Sequence, residues 1–231
     1  MTEGRRNKRV LKQQVLQIIR SDNWDSRLEE LNSLPTLQVI NTLISLFCDT
    51  NEEIKWRVIT ATGIVVSRLA DEDIESARII MRRLMWNLNS ESGGIGWGTP
   101  EAMGEIMACH DVLAKEFAQI LVSYAIPEGD NFLEFPALQQ GVLWGLGRLS
   151  QVHPELVHDA VAALPFFLAS EDATVRGLGA WVAGIVKARE LRGDIEKLID
   201  DATEIHIYLD GILQKREVKE IAGEALAHIE A

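Results

Sequence analysis

The residues with the clearest chemical potential follow a glycine-rich segment near the middle of the chain. Residues 92–100 contain four glycines and Trp97, and Glu101 and Glu105 follow one helical turn apart. Glycine-rich loops before a helix can hold phosphate, but no Gly-Lys-Ser/Thr triplet follows, and two carboxylates would repel an anion. We therefore expect Glu101 to satisfy amide donors at the helix start, with a flexible lid over a groove as the functional alternative.

Neither the cysteines nor the histidines form a pattern typical of catalysis or metal binding. Cys48 and Cys109 lie far apart inside apolar runs, whereas a structural zinc site needs about four ligands. We interpret both as buried free thiols of a reducing compartment. The five histidines are scattered, and no nucleophile and base have a spacing typical of a catalytic pair. The sequence therefore predicts no metal, no cofactor and no enzymatic activity.

Charge is distributed unevenly between the N-terminal end and the remainder of the chain. The formal net charge is −12, yet residues 1–20 carry six basic residues against one acidic residue, so residues 21–231 carry −17. So acidic a body repels phosphate backbones, which argues against nucleic acid and favours a basic protein or peptide as partner. No apolar run reaches the ~20 residues of a membrane span, and we expect a cytoplasmic protein.

The elements that position these residues are internal repeats. Four twelve-residue segments share an apolar first residue, a basic or amide second residue, and small residues near the eighth and tenth positions. They begin at Ile54, Leu138, Val175 and Val218. The first interval, 84 residues, is twice 42 and predicts a fifth segment near residue 95, where Ala102 and Gly104 occupy the small positions. The glycines of this segment and Pro100 predict that its helix begins late.

Each segment follows another amphipathic helix, so the repeats are helical pairs. We predict an all-α fold, a single-domain α-α superhelix of about five pairs in which residues 1–35 form capping helices. The pairs are predicted at residues 36–70, 71–109, 111–151, 153–188 and 194–231. Their first helices are predicted near 36–48, 72–89, 111–125, 153–169 and 194–202, and the capping helices near 7–20 and 24–32. Small residues on one face let the next helix approach closely.

Over residues 36–231 the repeats resemble HEAT repeats, especially the short bacterial type named after phycobilisome lyases. The resemblance is clearest from Asp172 to Arg176 and onward through Gly184 to Val186. It implies a solenoid whose second helices line the concave face, and it is nearly silent on function. HEAT-repeat di-iron hydroxylases use His-Glu pairs, which this sequence lacks. The resemblance leaves open a bilin lyase or a DNA glycosylase, although the acidic body argues against DNA.

Under this resemblance, positions three, seven and eleven of each segment share the concave face, since they step by four. Four of the six tryptophans fall there, together with acidic residues and one arginine. The candidate partner-binding residues are Trp56, Trp97, Glu101, Glu105, Trp144, Arg148 and Trp181. Indoles suit the anchoring of a protein ligand, but they equally suit burial between neighbouring repeats. Glu101 and Glu105 are also placed to pair with Arg148.

One segment, residues 204–216, breaks the helical pattern. Two runs of alternating apolar residues flank Asp210-Gly211, a dipeptide that favours a two-residue turn. We predict a small β-hairpin between the two helices of the last pair. Such a ribbon would cover the open end of the stack or offer an edge to a partner strand.

Together these patterns predict a non-enzymatic scaffold that binds a protein or peptide through a concave face lined by tryptophan and glutamate. The alternative is an enzyme or cofactor handler of the HEAT-like lyase or DNA-glycosylase type. That alternative would use the glycine-rich segment together with Glu101 and Glu105.

Overall fold

The computed structural model describes residues 3–88 and 96–231 of the chain. Within these ranges the protein is helical apart from one β-hairpin. Its α-helices are α1 (Glu3–Ile19), α2 (Thr36–Ile44), α3 (Glu52–Glu72), α4 (Ile74–Leu88), α5 (Thr99–Cys109), α6 (Asp111–Ser123), α7 (Pro136–Ser150), α8 (Leu164–Leu168), α9 (Ala173–Ile185), α10 (Arg192–Glu196) and α11 (Val218–Glu230). The strands are β1 (Glu204–Leu209) and β2 (Ile212–Glu217). Short 3-10 helices cover Leu28–Ser33, Pro154–Leu156, His158–Ala163 and Arg189–Leu191.

Helical pairs stack side by side to form an all-α solenoid, which confirms the predicted fold class. The second helices of the pairs, α3, α5, α7, α9 and α11, pack against one another in sequence and form an inner row. The first helices, α2, α4, α6, α8 and α10, each pack behind the second helix of their own pair. Helix α1 packs on α2 at the N-terminal end. The two rows bury a continuous apolar core between them.

Polar caps and special backbone residues set where the inner helices begin. The side chain of Asn51 accepts a hydrogen bond from the Ile54 amide at the start of α3, and Asp172 accepts one from the Val175 amide at the start of α9. Helix α5 begins late, as predicted. Gly98 precedes it with a φ of 71°, and Pro100 occupies its first turn, where a missing N–H leaves no donor unsatisfied.

Three predicted helices are shorter or more irregular in the structure. The predicted helix at 153–169 is two 3-10 helices followed by α8, because Pro165 cannot donate a hydrogen bond inside a continuous α-helix. The region predicted as a helix at 24–32 is a run of turns before the 3-10 helix Leu28–Ser33. The helix predicted at 194–202 is reduced to α10, and Asp200 and Asp201 beyond it would oppose a helix C-terminus.

Glycines bring the inner helices into backbone contact. A Cβ added at Gly104 in α5 would lie 2.3 Å from the Cα of Gly145 in α7. One added at Gly147 would lie 2.0 Å from the ring of Trp181 in α9. No real Cβ tolerates such contacts, so α5, α7 and α9 can approach this closely only because glycine stands at these positions. The small residues of the repeat are therefore the contact points of the inner row.

The hairpin forms where the sequence predicts it. Strands β1 and β2 pair antiparallel, with Leu209 opposite Ile212 at the turn and Glu204 opposite Glu217 at the base. Asp210 and Gly211 connect them with φ values of 50° and 80°, the left-handed pair that a type I′ turn requires. Within the described residues, no helix is long and apolar enough to cross a membrane.

Candidate functional site

The hairpin folds back against the inner row of helices instead of covering the open end of the stack. Ile205 of β1 packs on α9, where a Cβ at Gly177 would come within 2.6 Å of its Cδ1 atom. The Tyr208 ring stacks on Trp56 of α3 with centroids 4.9 Å apart and an interplanar angle of 4°. The Tyr208 hydroxyl lies 3.2 Å from the Thr60 Oγ1 atom. One ribbon thus contacts α3 and α9, so the inner row curves around it and its inner face is concave.

Tyr208 is the residue through which the hairpin closes this concave face. Its carbonyl oxygen accepts a hydrogen bond of 2.7 Å from the Trp144 Nε1 atom of α7. Trp144 is only 3% exposed and its ring lies 4.6 Å from that of Trp56. Buried indole nitrogens require such an acceptor. In this structure Trp144 therefore contacts the hairpin and not solvent, and Trp56 is half-buried beside it.

The other two concave tryptophans differ in accessibility. Trp181 is half-buried, and its ring edge packs against Gly147 between α7 and α9. Trp97, just before α5, is 38% exposed, and its ring meets Phe135 edge-on with centroids 5.7 Å apart. Phe135 is itself 49% exposed at the start of α7. Trp97 and Phe135 therefore form an exposed aromatic pair on the rim of the concave face, which we call the rim pair.

Both candidate glutamates of α5 are buried in ion pairs with neighbouring inner helices. Glu105 accepts from the Arg148 Nε atom of α7 at 2.8 Å, as the repeat spacing predicts. Glu101 pairs instead with Lys55 of α3, whose Nζ atom lies 2.8 Å from its carboxylate and 5.2 Å from the Trp56 ring centroid. The Glu101 carboxylate thus joins α5 to α3. Its predicted role towards the amides of the glycine-rich segment involves residues 89–95, which lie outside the described residues.

Two cavities remain on either side of Tyr208. The first, which we call the tip cavity, has a volume of about 270 Å³ and lies beside the hairpin turn. It is lined by Thr60, Glu105, Arg148, Trp181, Tyr208 and Asp210, among others. The second, the rim cavity, has a volume of about 150 Å³ and lies beside Trp97 of the rim pair. It is lined by Glu52, Lys55, Trp56, Trp97, Glu101 and His206, among others.

The rim cavity combines indoles with carboxylates near the mouth of the groove. The Glu52 side chain is 58% exposed and accepts a hydrogen bond from His206 of the hairpin at 3.1 Å. Lys55 already lies in this cavity between an indole face and the Glu101 carboxylate. The indole face and the carboxylate therefore both favour a positive charge at this position. The repeat pattern does not predict Lys55, Phe135 or Tyr208 as site residues, because none of them occupies position three, seven or eleven of an inner helix.

The glycine-rich segment contributes to this site only in part. Residues 89–95, with Gly93 and Gly94, lie outside the described residues, so the lid interpretation of this segment is not assessed. Gly96, Trp97 and Gly98 are described, and Gly98 packs on Phe47. Among residues 3–88 and 96–231, no three histidine, cysteine, aspartate or glutamate side chains are grouped as a metal site would need.

Cys109 contacts Glu105, which lines the tip cavity, so the reactivity of its thiol reports on the electrostatics there. Burial, followed by the nearby Glu105 carboxylate, raises the pKa of the Cys109 thiol to about 12. We expect iodoacetamide near pH ~8 to alkylate exposed Cys48 and to leave Cys109 unmodified until the protein unfolds. Because the folded pKa exceeds the unfolded value, the thiol stabilises the fold below pH ~9 and this contribution is lost as pH rises towards about 12. Mass spectrometry of alkylated peptides measures both sites.

The matched variants for this test are Cys48→Ser and Cys109→Ser. Native Cys48→Ser should resist alkylation, and native Cys109→Ser should react as the wild type does. Cys48 is exposed and Cys109 is half-buried, in contrast to the burial predicted for both. Equal alkylation of both cysteines in the folded protein would contradict the half-buried, carboxylate-flanked position of Cys109. A thiol held protonated in this way is a poor nucleophile near neutral pH.

Fold and site together define the class of protein, an α-solenoid built from helical-pair repeats. No known protein family matches the chain, and no curated protein matches it. Solved structures do match. The engineered protein OR329 of the Northeast Structural Genomics Consortium is 16% identical over 95% of this chain and 96% of its own, with a TM-score of 0.53.

Designed armadillo repeat proteins are similar to the same extent. One, YIII(Dq.V1)4CPAF in complex with the peptide (KR)4, is 15% identical over 94% of this chain and 98% of its own, with a TM-score of 0.52. Another, from a set of computationally designed armadillo repeat proteins for modular peptide recognition, is 16% identical over 93% and 98%, with a TM-score of 0.51. At these identities the likeness supports the solenoid fold alone.

Proposed function

We propose that this protein is a non-enzymatic scaffold that binds a protein or peptide partner at the rim of its concave face. The observation that carries the proposal is the rim pair, two exposed aromatic rings in contact, of which Trp97 lines a cavity that also contains Glu52 and Glu101. Trp144 and Trp56 are engaged by the hairpin, whereas Trp97 keeps a free face. Large aromatic side chains beside a cavity are typical anchors of protein interfaces. The partner contacts the rim, since the hairpin fills the centre of the groove.

The charge of this region favours a basic partner. The carboxylate of Glu52 is exposed beside the rim cavity, and the chain carries a net charge of −12. Such a field raises the association rate of a positively charged segment and lowers that of an acidic one. The basic peptide (KR)4 bound to a designed armadillo protein is a precedent for the pairing of this fold with such ligands.

Within this fold we assign the repeats to the HEAT type. The free thiols favour a reducing, cytoplasmic location.

The rim pair makes a direct prediction for binding. We expect fluorescein-labelled (KR)4 peptide to bind the wild-type protein, and Trp97→Ala to weaken binding by at least about tenfold, the effect of a lost interface anchor. Fluorescence anisotropy at low and at raised salt measures both the affinity and its screening. The peptide of the same length with glutamate throughout should not bind.

Trp86→Ala is the matched control, since Trp86 is 75% exposed on α4 and lines neither cavity. It should bind (KR)4 as the wild type does. If Trp97→Ala and Trp86→Ala bind equally well, or if the acidic peptide binds as tightly as the basic one, the rim of the concave face is not the binding surface proposed.

A further inference from the structure

A third cavity lies between the N-terminal helices α1, α2 and α4, away from the hairpin. Its volume is about 290 Å³, near the lower limit of ligand-binding cavities, which begin at about 300 Å³. It is lined by Leu11 and Lys12 of α1, Arg83 of α4, Gln38, Asn41 and Thr42 along α2, and Ser45 at the C-terminal end of α2. We call it the basic cavity, because none of its lining residues is acidic. The tip and rim cavities, in contrast, both contain carboxylates.

The sequence of α2 builds one wall of this cavity. Positions 38, 41, 42 and 45 recur at the spacing of one helix face, and all four are polar yet uncharged. The hydroxyls of Thr42 and Ser45 donate to the carbonyl oxygens of Gln38 and Thr42, at 2.8 and 2.7 Å. Both hydroxyl protons are thus donated within the helix and not to the cavity. The remaining side-chain donors of the wall are the amides of Gln38 and Asn41.

Arg83 is held in this cavity by a neutral group. Its Nη1 atom donates to the Oδ1 atom of Asn41, which leaves the Nδ2 atom of Asn41 free to donate in turn. Arg78, Arg148 and Arg176 each lie against a carboxylate. Among residues 9–88 and 96–231, no carboxylate lies within salt-bridge distance of Arg83 or Lys12. Two positive charges on the cavity wall are therefore not neutralised by this part of the chain.

We propose that the basic cavity binds a phosphate group. Two cations and two amides supply donors from three helices, and a metal ion is disfavoured because no carboxylate lines the cavity. A phosphate monoester carries a charge of about −1.5 to −2 near neutral pH, which matches the charge of Lys12 and Arg83 together. Guanidinium and ammonium groups form strong charge-assisted hydrogen bonds to its oxygens. The phosphate belongs to a soluble phosphate ester or to a phospholipid headgroup, and both present the same group.

The test uses the full chain and three probes. Inorganic phosphate and phosphoserine are titrated by calorimetry at constant ionic strength, and phosphatidylcholine vesicles with and without phosphatidic acid are tested by co-sedimentation. We expect phosphate to bind and to raise the Tm more than chloride does at equal ionic strength. Arg83→Gln and Lys12→Gln should each weaken binding by about tenfold, since each removes one charge-assisted contact. Retention on phosphatidic acid vesicles alone would assign the phosphate to a lipid headgroup.

Lys115→Gln is the matched control, with the same change of charge on an exposed position of α6 outside the cavity. It should bind phosphate as the wild type does. Lys12 is also exposed, so its variant reports on binding without a loss of folding. Equal effects of phosphate and chloride, together with no vesicle binding, would overturn the proposal. So would unchanged phosphate binding by Arg83→Gln and Lys12→Gln, which would leave these cations the role of offsetting the dipole of α2.

Discussion

Gly104→Ala is expected to destabilise the protein by about 3 kcal/mol or more, since overpacking against backbone cannot be relieved by a side-chain rotation. The new Cβ would lie 2.3 Å from the Cα of Gly145 and 2.5 Å from its carbonyl oxygen, so α5 and α7 would have to separate. Their separation would also stretch the ion pair between Glu105 and Arg148. Urea unfolding followed by far-UV circular dichroism measures the loss.

The matched control is Gly223→Ala in α11, where no atom lies within 4 Å of the added Cβ. There the substitution removes only the helix penalty of glycine and should stabilise the protein by about 0.5–1 kcal/mol. The two variants make the same chemical change and should shift the unfolding midpoint in opposite directions. Equal midpoints would mean that α5 and α7 are not in backbone contact at Gly104.

Tyr208→Ala is expected to cost about 3–5 kcal/mol, the range for removal of a buried aromatic side chain. The variant loses the stack on Trp56 and the contact with Thr60. These two contacts join the hairpin of the last pair to α3 of the first pair. Trp56 and Trp144 would then meet water, so tryptophan emission should shift to longer wavelength and become more accessible to acrylamide. Unfolding in urea gives the free energy, and the fluorescence identifies the exposed rings.

Tyr208→Phe is the control, because it keeps the stacked ring and removes only the hydroxyl. It should cost about 0.5–1.5 kcal/mol and leave the emission unchanged. If Tyr208→Ala kept the emission and the stability of the wild type, the hairpin would not be held on the concave face in solution. The size of the expected loss also argues against an easily displaced hairpin, since opening it would expose Ile205, Ile207 and Tyr208 together.

The pattern of small residues in the sequence is sufficient to predict the solenoid and one of its ion pairs. Equivalent residues of successive repeats meet in space, and Glu105 and Arg148 are 43 residues apart, about one repeat. Lys55 and Glu101 are separated by a similar 46 residues. This second pair is not predicted, because Lys55 lies beside the stripe of positions three, seven and eleven and reaches Glu101 only by the length of its side chain.

The position of the hairpin lies beyond local sequence patterns. Asp210-Gly211 and the alternating strands predict the ribbon itself, since a type I′ turn depends on neighbouring residues only. Its docking depends on Tyr208 meeting Trp56 and Trp144, which no spacing within one repeat encodes. For the same reason the sequence places the four tryptophans on one face but does not reveal that the chain itself covers two of them.

The contact between Tyr208 and Thr60 spans 148 positions of the chain. An open repeat array folds by nearest-neighbour steps, and its ends fray separately from its middle. Here the hairpin of the last pair contacts α3, the second helix of the first pair, so opening the hairpin also removes a contact from the first pair. Long-range contacts of this kind raise the contact order and slow folding relative to helical arrays with local contacts only. We therefore expect the first and last pairs to unfold together in one cooperative transition, and not separately.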